Sequence, residues 1–427
     1  MTDDPALLLR SLFDAALDAV AAARCVPRHL PPPPRGRTVV IGAGKVSAAM
    51  ARAVENHWPG ALSGVVVVPY GHGADCARIH VIEAAHPLPD EAGAMAADRV
   101  LAAVRGLGPD DLVLALISGG GSALLVRPAP GISLADKRAV TAALLRSGAP
   151  IAAINAVRKH LSAIKGGRLA QAARPARICT LVLSDVPGDD PAVVASGPTL
   201  PDPTTAAEAR AILARYRIEP PPAVAAWLAS AAAETPKPNE PMFHVDSAAI
   251  VARAGDALEA AAAAARAQGI AVTVLGDAIE GEARDVGAAH ARLALDAARN
   301  ATRPLLILSG GETTVTISGE AGSGGRNSEY LLAFGLALGE APGIAALAAD
   351  SDGIDGASRA AGALWRPDSL ARARALGLDP ASMLAAHRSG EFFARLGDAL
   401  VTGPTRTNVN DFRAVLIGAG PAQRLDL

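Results

Sequence analysis

The chain has 427 residues, of which 50% are hydrophobic and 19% are charged, and this composition excludes a wholly disordered protein. Its 40 lysine and arginine residues against 42 aspartate and glutamate residues give a formal net charge of -2, which argues against a dedicated nucleic-acid-binding protein. The three cysteines are widely separated and form neither a disulfide framework nor a zinc-binding pattern.

The sequence gives no indication of export or membrane insertion. The N-terminus, Met-Thr-Asp-Asp-Pro, is acidic where a signal peptide would be basic. The apolar stretches are rich in alanine, and charges interrupt them before they reach the roughly 18 residues of a membrane span. We therefore expect a cytoplasmic protein without nucleic-acid or membrane partners, and the sequence leaves open whether it forms a homo-oligomer.

The predicted elements follow a repeated pattern along the chain. Apolar residues at helical spacing cover 5–24, and the prolines 31–34 end that helix. After residue 34 a three-part pattern recurs. It consists of an apolar, β-branched run, then a turn rich in glycine, serine or aspartate, and then an alanine-rich helical stretch. The predicted strands are Thr38–Ile41, Val65–Val68, Asp111–Ile117, Cys179–Leu183, Ala271–Leu275, Leu305–Leu308 and Ile344–Ala348, and Val401 opens a further polar turn.

This alternation predicts the fold class and the place of the site. Short, continuously apolar strands between helices indicate an α/β fold with mostly parallel sheets flanked by helices. Ligands of such sheets bind outside the carboxyl ends of the strands, where the polar turns lie. Six prolines between Ile218 and Pro241 indicate an inter-domain connection. We therefore predict a first domain over residues 1–240 and a second over 241–427.

The turn after the first strand, Gly42-Ala43-Gly44-Lys45-Val46-Ser47, resembles two phosphate-binding motifs and matches neither. A dinucleotide fingerprint needs glycine or alanine at position 47 and an acid after the second strand, which instead ends in Pro69-Tyr70-Gly71. A P-loop needs different glycine spacing and a serine or threonine directly after the lysine. The turn can still direct backbone N–H groups and the charge of Lys45 at an anion. The alternative is a tight turn with a solvated lysine.

The segment Ser118-Gly119-Gly120-Gly121-Ser122 follows a strongly apolar strand. Three consecutive glycines cost backbone entropy but suit a turn whose amides face a ligand. We therefore predict that the segment cradles phosphate oxygens, and the alternative is a flexible loop.

Two carboxylate clusters follow predicted strands, one formed by Asp185, Asp189 and Asp190 and the other by Asp350, Asp352 and Asp355. Mg²⁺ binds one or two carboxylates together with phosphate oxygens and water, so either cluster could supply its ligands. The second cluster is not an EF-hand, because Ala361 lies where the glutamate would be. For each cluster the alternative is helix capping or local turns.

Three further features are candidates for anion binding or proton transfer. The stretch 154–173 reads as one helix on which Arg158, Lys165 and Arg168 lie near one another, either as an anion site or as a solvated basic face. A glycine-rich loop from Gly319 delivers Arg326 to a helix start, as an anion clamp or as an incidental surface arginine. His86 could act as a base, although a structural histidine is more common in such a loop.

Taken together, these segments resemble the glycerate 2-kinase family, whose members carry a MOFRL domain on their C-terminal side. The resemblance runs from about residue 7 to about residue 420. The motifs that carry it in the first part are Val40–Lys45, His86–Asp90, Ser118–Ser122, Asn155–Ser162, Lys165–Arg168, Ser184–Asp189 and Ser196–Thr199. In the second part they are Ser309–Thr313, Gly325–Glu329, Asp350–Gly356, Thr402–Thr405 and Asn408–Asp411.

The resemblance implies an α/β protein with a Rossmann-like N-terminal part, a smaller MOFRL-type part and an active site in the cleft between them. It also implies a kinase that transfers the γ-phosphate of ATP, with Mg²⁺, to the 2-hydroxyl of D-glycerate, giving 2-phosphoglycerate and ADP. The family associates the lysine after the glycine turn and the arginine of the Gly-Arg-Asn motif with catalysis, here Lys45 and Arg326. Because both lie in predicted turns, we expect neither to support the fold.

The remaining roles follow from the physics of phosphoryl transfer, in which the protein positions groups and neutralises charge. We expect phosphate or substrate contacts from three turns and one helix, namely from Gly44, Ser118, Gly119, Gly120, Gly121, Ser122, Arg158, Gly310, Gly311 and Glu312. We expect Mg²⁺ ligands from Asp189, Asp350 and Asp352, and a base for the glycerate hydroxyl at Asp185. Two alternatives are an NAD(P)H-dependent hydroxypyruvate reductase, disfavoured by the missing ribose acid, and a non-catalytic sugar-phosphate-binding protein.

Overall fold

The computed structural model describes residues 4–317, 319 and 322–418, and these divide into two compact units. The N-terminal unit covers residues 22–252. The C-terminal unit begins at Arg253 and also includes the segment that ends at Ala21, which carries the first helix, α1 (Pro5–Ala19).

The N-terminal unit is built on a six-stranded sheet in which every neighbouring pair is parallel. Its strands are β1 (Thr38–Ala43), β2 (Ser63–Pro69), β3 (Ile79–Ala84), β4 (Leu112–Ser118), β5 (Arg177–Leu183) and β6 (Ser247–Ala252). They lie in the order β3-β2-β1-β4-β5-β6, which is the order of a doubly wound, Rossmann-like sheet. Every residue of β1 and β4 is buried, as expected for central strands covered on both faces. The predicted parallel α/β fold is confirmed for this unit.

Nine helices accompany this sheet in the described chain. They are α2 (Ala22–Cys25), α3 (Ser47–His57), α4 (Glu91–Val104), α5 (Gly121–Leu124), α6 (Leu134–Arg146), α7 (Ile151–His160), α8 (Arg168–Ala173), α9 (Ala206–Arg215) and α10 (Pro222–Ala229). The prediction of one helix over 154–173 is wrong. The chain leaves α7 at His160 and passes through Gly166 and Gly167, whose φ values of +57° and +82° are left-handed and not helical.

The C-terminal unit has a six-stranded sheet of different topology and a separate two-stranded ribbon. The strands are β7 (Ala271–Val274), β8 (Gly281–Glu282), β9 (Leu305–Gly311), β10 (Thr313–Thr314), β11 (Ile344–Asp350), β12 (Gly362–Trp365), β13 (Ala399–Leu400) and β14 (Asp411–Ile417). The large sheet has the order β13-β12-β11-β14-β9-β7, and β8 pairs with β10.

Only the β7–β9 pair of this large sheet is parallel, so the prediction of a mostly parallel sheet is wrong here. The physical reason lies in the connections. No helix lies between β11 and β12, and without a crossover β12 returns beside β11 in the antiparallel direction. The last strand, β14, then inserts between β11 and β9, antiparallel to both.

Six more helices cover the C-terminal sheet: α11 (Ala254–Arg266), α12 (Ala283–Asn300), α13 (Arg326–Leu338), α14 (Ser369–Ala375), α15 (Pro380–Ala385) and α16 (Ser389–Leu396). Its core includes the aromatic residues Tyr330, Phe334, Trp365, Phe392 and Phe393. The helix α1 joins this unit, where Phe13 packs against Phe412 with ring centroids 5.5 Å apart.

The observed division differs from the predicted boundary near residue 240. The reason is β6, which follows the proline-rich stretch and still pairs with β5 of the first sheet. The boundary therefore falls after Ala252. Among the described residues, no helix combines the length and apolar character needed to cross a bilayer.

Candidate active site

The crevice of the N-terminal sheet lies between β1 and β4, where the strand order changes direction. In a doubly wound sheet, ligands bind at this switch point, outside the carboxyl ends of the strands. The two turns predicted to bind phosphate, Gly42–Lys45 and Ser118–Ser122, are the segments that follow β1 and β4. The fold therefore brings the two turns to one place.

Hydrogen bonds lock the two turns together. The backbone N–H of Lys45 donates to Gly119 O at 2.8 Å, and the N–H of Val46 donates to Ser118 Oγ at 3.0 Å. Gly44 has a φ of +140°, and a Cβ there would lie 2.2 Å from Ser118 Oγ. Gly44 and the fully buried Ser118 therefore position the loops, instead of facing a ligand as predicted.

The glycine loop, residues Gly119–Ser122, has the features of an anion cradle. Gly120 has a φ of +79°, which favours glycine. Within the described chain, the backbone N–H groups of Gly120, Gly121 and Ser122 have no acceptor. A Cβ on Gly120 would lie 3.4 Å from Lys45 Cγ and 3.1 Å from His86 Nε2, so both side chains flank the loop. Successive amides beside a lysine can bind phosphate oxygens.

A chain of polar side chains runs from the end of this loop to α7. Ser122 Oγ lies 2.7 Å from Ser196 Oγ, which donates to Asn155 Oδ1 at 3.4 Å. Ser196 has a φ of +62°, and such left-handed backbone in a residue other than glycine tends to mark functional positions. Arg158 lies one helical turn beyond Asn155 and is half-buried. The structure thus brings the predicted residue Arg158 to the same region as the glycine loop.

Not every predicted basic residue joins this region. The guanidinium of Arg168 donates from Nη2 to the carbonyl oxygens of Ala232, Ala233 and Glu234, each at 3.0 Å, so it caps a backbone turn. Arg168 and Trp227 line a groove of about 1120 Å³, and no other predicted site residue is among its lining residues.

The carboxylates after β5 lie at the same edge of the parallel sheet as the two turns. Asp185 and Asp189 are half-buried. Asp190 is exposed, and its Oδ1 accepts the N–H of Ala192 at 2.9 Å, so the local-turn alternative applies to Asp190.

In the C-terminal unit, Arg326 is the first residue of α13 and lies among three carboxylates. Its Nε donates to Asp411 Oδ1 at 2.7 Å, its Nη2 to Asp350 Oδ2 at 2.8 Å and its Nη1 to Glu312 Oε1 at 2.6 Å. Burial lowers the pKa of Arg326, but the charges of the three carboxylates outweigh it and the net shift is upward. Because Asp411 is fully buried, loss of this arginine would remove one of its charge partners, so we now predict that Arg326 supports the fold, unlike the expectation drawn from its position in a turn.

Asp411 is the central residue that the sequence analysis left without a role. Its register places it opposite Asp350 on β11 and opposite Gly311 on β9. Besides the hydrogen bond from Arg326, its Oδ1 accepts a hydrogen bond from Asn327 Nδ2 at 2.7 Å, and its carboxylate forms an ion pair with the buried Arg413. Asn327 Oδ1 is buried without a hydrogen-bond partner among the described residues. The sequence could have indicated these two residues, because Asn327 and Asp411 both belong to motifs that carry the family resemblance.

Two predicted ligand-binding glycines serve chain packing instead. A Cβ on Gly311 would lie 2.2 Å from Ile279 N, and the Gly310 N–H donates to Gly276 O at 2.8 Å. Because Gly310 and Gly311 lack side chains, the segment 276–279 can pack closely against β9. Glu312, the next residue, is half-exposed and pairs with Arg326 as described.

The acidic cluster after β11 is divided between two roles. Asp355 accepts the N–H groups of Asn327 and Ser328, both at 2.9 Å, and caps α13, so the capping alternative is confirmed for it. Asp350 Oδ1 accepts the N–H of Asp352 at 3.0 Å, which holds these two carboxyl groups at one turn. No group of three or more metal-ligating side chains occurs in the described chain. A donor set of one or two carboxylates suits Mg²⁺ that is shared with phosphate oxygens, and does not suit an all-protein cage.

Comparisons with known proteins agree with this architecture. Residues 305–411 match the MOFRL family, and residues 8–229 match a domain of unknown function, DUF4147. The chain is 55% identical to an Agrobacterium vitis protein provisionally named as a hydroxypyruvate reductase, over 96% of this chain and 94% of that one. It is 38% identical to a glycerate 2-kinase of Pyrococcus horikoshii, over 90% and 88% of the two chains. The crystal structure of a Thermotoga maritima glycerate kinase superposes with a TM-score of 0.87 at 35% identity, over 96% of this chain and 99% of the other.

Proposed function

The chain belongs to the MOFRL-containing glycerate 2-kinase family, and we propose that it transfers the γ-phosphate of ATP to the 2-hydroxyl of D-glycerate. The products are 2-phosphoglycerate and ADP. The family membership supplies the substrate class, and the geometry of the N-terminal unit supplies the physical basis for phosphate binding.

The observation that carries the proposal is the glycine loop beside Lys45. The amides of Gly120, Gly121 and Ser122 lack acceptors in the described chain, and the hydrogen bond from Lys45 N to Gly119 O fixes the lysine backbone next to them. Phosphoryl transfer needs positioned donors and positive charge around the transferring group more than it needs covalent chemistry. Lys45 neutralises charge on the phosphoryl oxygens, and the amides orient them.

The acceptor hydroxyl of glycerate needs a group that takes its proton as the phosphoryl group arrives. Asp185, at the carboxyl end of β5, is our proposed base. His86 Nε2 lies over Gly120 and is the geometric alternative. The two are distinguishable, because loss of a titrating base changes the pH profile of kcat/KM.

Mg²⁺ would be held by Asp189, or by Asp350 and Asp352, together with phosphate oxygens. It supplies charge neutralisation on the phosphates of ATP. This chain's own residues orient that assembly, since Asp350 is held in place by the N–H of Asp352 and by Arg326. Asp350→Asn and Asp352→Asn should shift the metal titration of activity to higher concentration, whereas unchanged titrations in both would direct attention to Asp189.

One observation keeps a reductase as the second candidate, namely the name of the Agrobacterium vitis relative at 55% identity. The structure supplies a reason against it. In dinucleotide-binding sheets an acid at the end of the second strand binds the ribose hydroxyls, and here β2 ends at Pro69, followed by Tyr70. The site also offers fixed amides and a lysine, which suit phosphate oxygens.

The test compares the two reactions on one preparation of the full chain. One arm follows ADP formation from ATP, Mg²⁺ and D-glycerate, and the other follows NADH or NADPH oxidation with hydroxypyruvate. We expect glycerate-dependent ADP formation and no reductase activity. Reductase activity without ADP formation would replace the kinase with the reductase, and ligand binding without turnover in either arm would favour the non-catalytic alternative.

A further inference from the structure

Three basic side chains of the N-terminal unit are close enough to act on one another's charge, and no described carboxylate pairs with any of them. Lys137 is on α6, Arg158 is on α7, and Lys165 is in the turn between α7 and α8. Lys137 is 5% exposed and Lys165 is fully buried, whereas Arg158 is half-buried. None of the three forms an ion pair with any residue that the structure describes.

The three side chains keep most of their hydrogen-bonding capacity unused. Lys137 Nζ donates to Leu161 O at 3.3 Å, and Lys165 Nζ donates to Ala195 O at 3.4 Å. The guanidinium of Arg158 makes no hydrogen bond within the described chain. A protonated lysine has three donors and an arginine has five, so several N–H groups remain for a ligand.

Burial and mutual repulsion disfavour the charged forms of the two lysines, and no carboxylate is among the groups that act on them. Burial, followed by the charge of Arg158, lowers the pKa of Lys137 to about 7. Burial, followed by the charges of Lys137 and Arg158, lowers the pKa of Lys165 as well. The charge that acts on Lys137 is therefore that of Arg158, and the charges that act on Lys165 are those of Lys137 and Arg158. Buried charges in proteins are normally paired, and an anionic ligand would complete this cluster.

The cluster adjoins the glycine loop through backbone and hydroxyl contacts. Ala195, the acceptor of Lys165, precedes Ser196, whose Oγ meets Ser122 Oγ at 2.7 Å. Arg158 lies one helical turn from Asn155, which accepts a hydrogen bond from Ser196 Oγ. A chain of phosphates held at Gly120–Ser122 would therefore extend toward the three cations.

We propose that Lys137, Arg158 and Lys165 form a second phosphate-binding site that continues from the glycine loop. Its ligand chemistry is the phosphate oxygen, supplied by a nucleoside polyphosphate or by a phosphorylated hydroxy acid. The inference rests on the proposed function only for these two ligand identities, because the cation cluster is independent of any turnover.

Binding at this site is coupled to proton uptake. A phosphate stabilises the charged form of the buried lysines, so a proton moves from solvent to Lys137 as the anion binds. Above neutral pH, where Lys137 is mostly uncharged in the free protein, the contribution of Lys137 to this uptake approaches about one proton per ligand. A surface arginine cluster, which stays charged throughout, would take up none.

The test is isothermal titration of the full chain near pH 8, with pyrophosphate as the probe, in two buffers of different ionisation enthalpy. We expect proton uptake by the unsubstituted chain. In Lys137→Met we expect an affinity at least tenfold lower and a smaller proton uptake than in the unsubstituted chain. Arg158→Gln, at a half-buried position, should also bind at least tenfold more weakly. The matched control is Arg146→Met, which removes an exposed charge from the same helix and should leave both quantities unchanged.

Unchanged binding in both Lys137→Met and Arg158→Gln would overturn the proposal, and so would equal losses in the Arg146→Met control. Repeating the titration with ADP and with 2-phosphoglycerate identifies the source of the phosphate, since only the ligand that uses this site loses affinity in the variants. Failure of the proposed function gives a different result. Pyrophosphate binding that depends on Lys137, together with no phosphorylation of glycerate, would support this phosphate site and contradict the kinase function.

Discussion

Arg326 donates its Nε–H to the fully buried Asp411 Oδ1 at 2.7 Å, and this ion pair joins the start of α13 to the start of β14. The remaining nitrogens of the guanidinium bind Asp350 and Glu312. The arginine therefore holds together three carboxylates from different strand ends. We predict that it supports the C-terminal unit and also has the catalytic role that the family resemblance implies.

We expect Arg326→Ala to lower both stability and activity. Removing the arginine takes a cationic partner from each of the buried carboxylates Asp350 and Asp411, which we expect to cost on the order of 3 kcal/mol of unfolding free energy. Activity should fall by at least roughly 10²-fold in kcat/KM. Arg326→Lys keeps the charge but cannot reach three carboxylates with one ammonium, so it should also be impaired. Thermal denaturation and steady-state kinetics measure the two effects.

The control for Arg326 is Arg388→Ala, which removes an exposed arginine paired with Glu391 and should be near neutral. Arg326→Ala with an unchanged melting temperature would mean that the ion-pair network does not stabilise this unit. Full activity in that variant would remove Arg326 from the catalytic machinery.

Lys45→Met should separate catalysis from folding. The side chain is half-buried beside the glycine loop, and the backbone hydrogen bond from Lys45 to Gly119 survives the substitution. We expect kcat/KM to fall by at least roughly 10²-fold, about 2.7 kcal/mol of transition-state stabilisation, with little change in melting temperature. Activity within a factor of about two of the unsubstituted enzyme would place Lys45 outside the site.

Gly120→Ala tests whether the glycine loop must remain open. The added methyl group would lie 3.1 Å from His86 Nε2 and 3.4 Å from Lys45 Cγ, in the space where we place phosphate oxygens. Gly131→Ala is a close control, because its φ of +80° imposes the same backbone strain and nothing lies within 4 Å of the new methyl. We expect Gly120→Ala to weaken ADP binding by about tenfold more than the control. Equal effects would mean that strain alone is responsible.

The buried Lys137 predicts a specific pH dependence of stability. Its pKa of about 7 in the folded protein lies below the value near 10.5 of an unfolded lysine. Between these pH values the unfolded chain binds a proton that the folded chain does not, so this lysine destabilises the fold at neutral pH and the penalty disappears as pH rises. Lys137→Met should therefore be more stable than the unsubstituted chain at pH 7, by on the order of a few kcal/mol, and the difference should shrink toward pH 10.

Denaturant unfolding at several pH values measures this difference, with Arg146→Met as the reference for a charge removed from the surface of α6. A difference that stays constant with pH would show that Lys137 is charged in the folded state at neutral pH. The cation cluster would then need a counter-charge already present in the free protein.

Much of the N-terminal unit was predictable from the sequence because its strands are continuously apolar. Apolar runs such as Leu112–Ile117 indicate a central parallel strand, and the polar turns after them indicate the edge of the sheet where ligands bind. The predicted single helix over 154–173 failed because apolar spacing continues across Gly166 and Gly167, whose left-handed conformations interrupt it.

The C-terminal unit was harder to predict for an equally physical reason. The strand β14 carries the fully buried Arg413 at its third position, which contradicts the pattern of a core strand. Its partner is Asp411, two positions earlier on the same strand. The three carboxylates around Arg326 come from residues 312, 350 and 411, and only the antiparallel register of β11, β14 and β9 brings them together. The spacing of these residues along the chain therefore does not predict that they cluster.

The most direct test of the account is to identify the product formed from ATP, Mg²⁺ and D-glycerate by ³¹P and ¹H NMR. The account predicts 2-phosphoglycerate in amounts equal to the ADP released, and its near absence with the Lys45→Met variant. Formation of 3-phosphoglycerate alone would overturn the position of transfer. Absence of any phosphoglycerate, alongside robust NADH-linked reduction of hydroxypyruvate, would contradict the kinase itself.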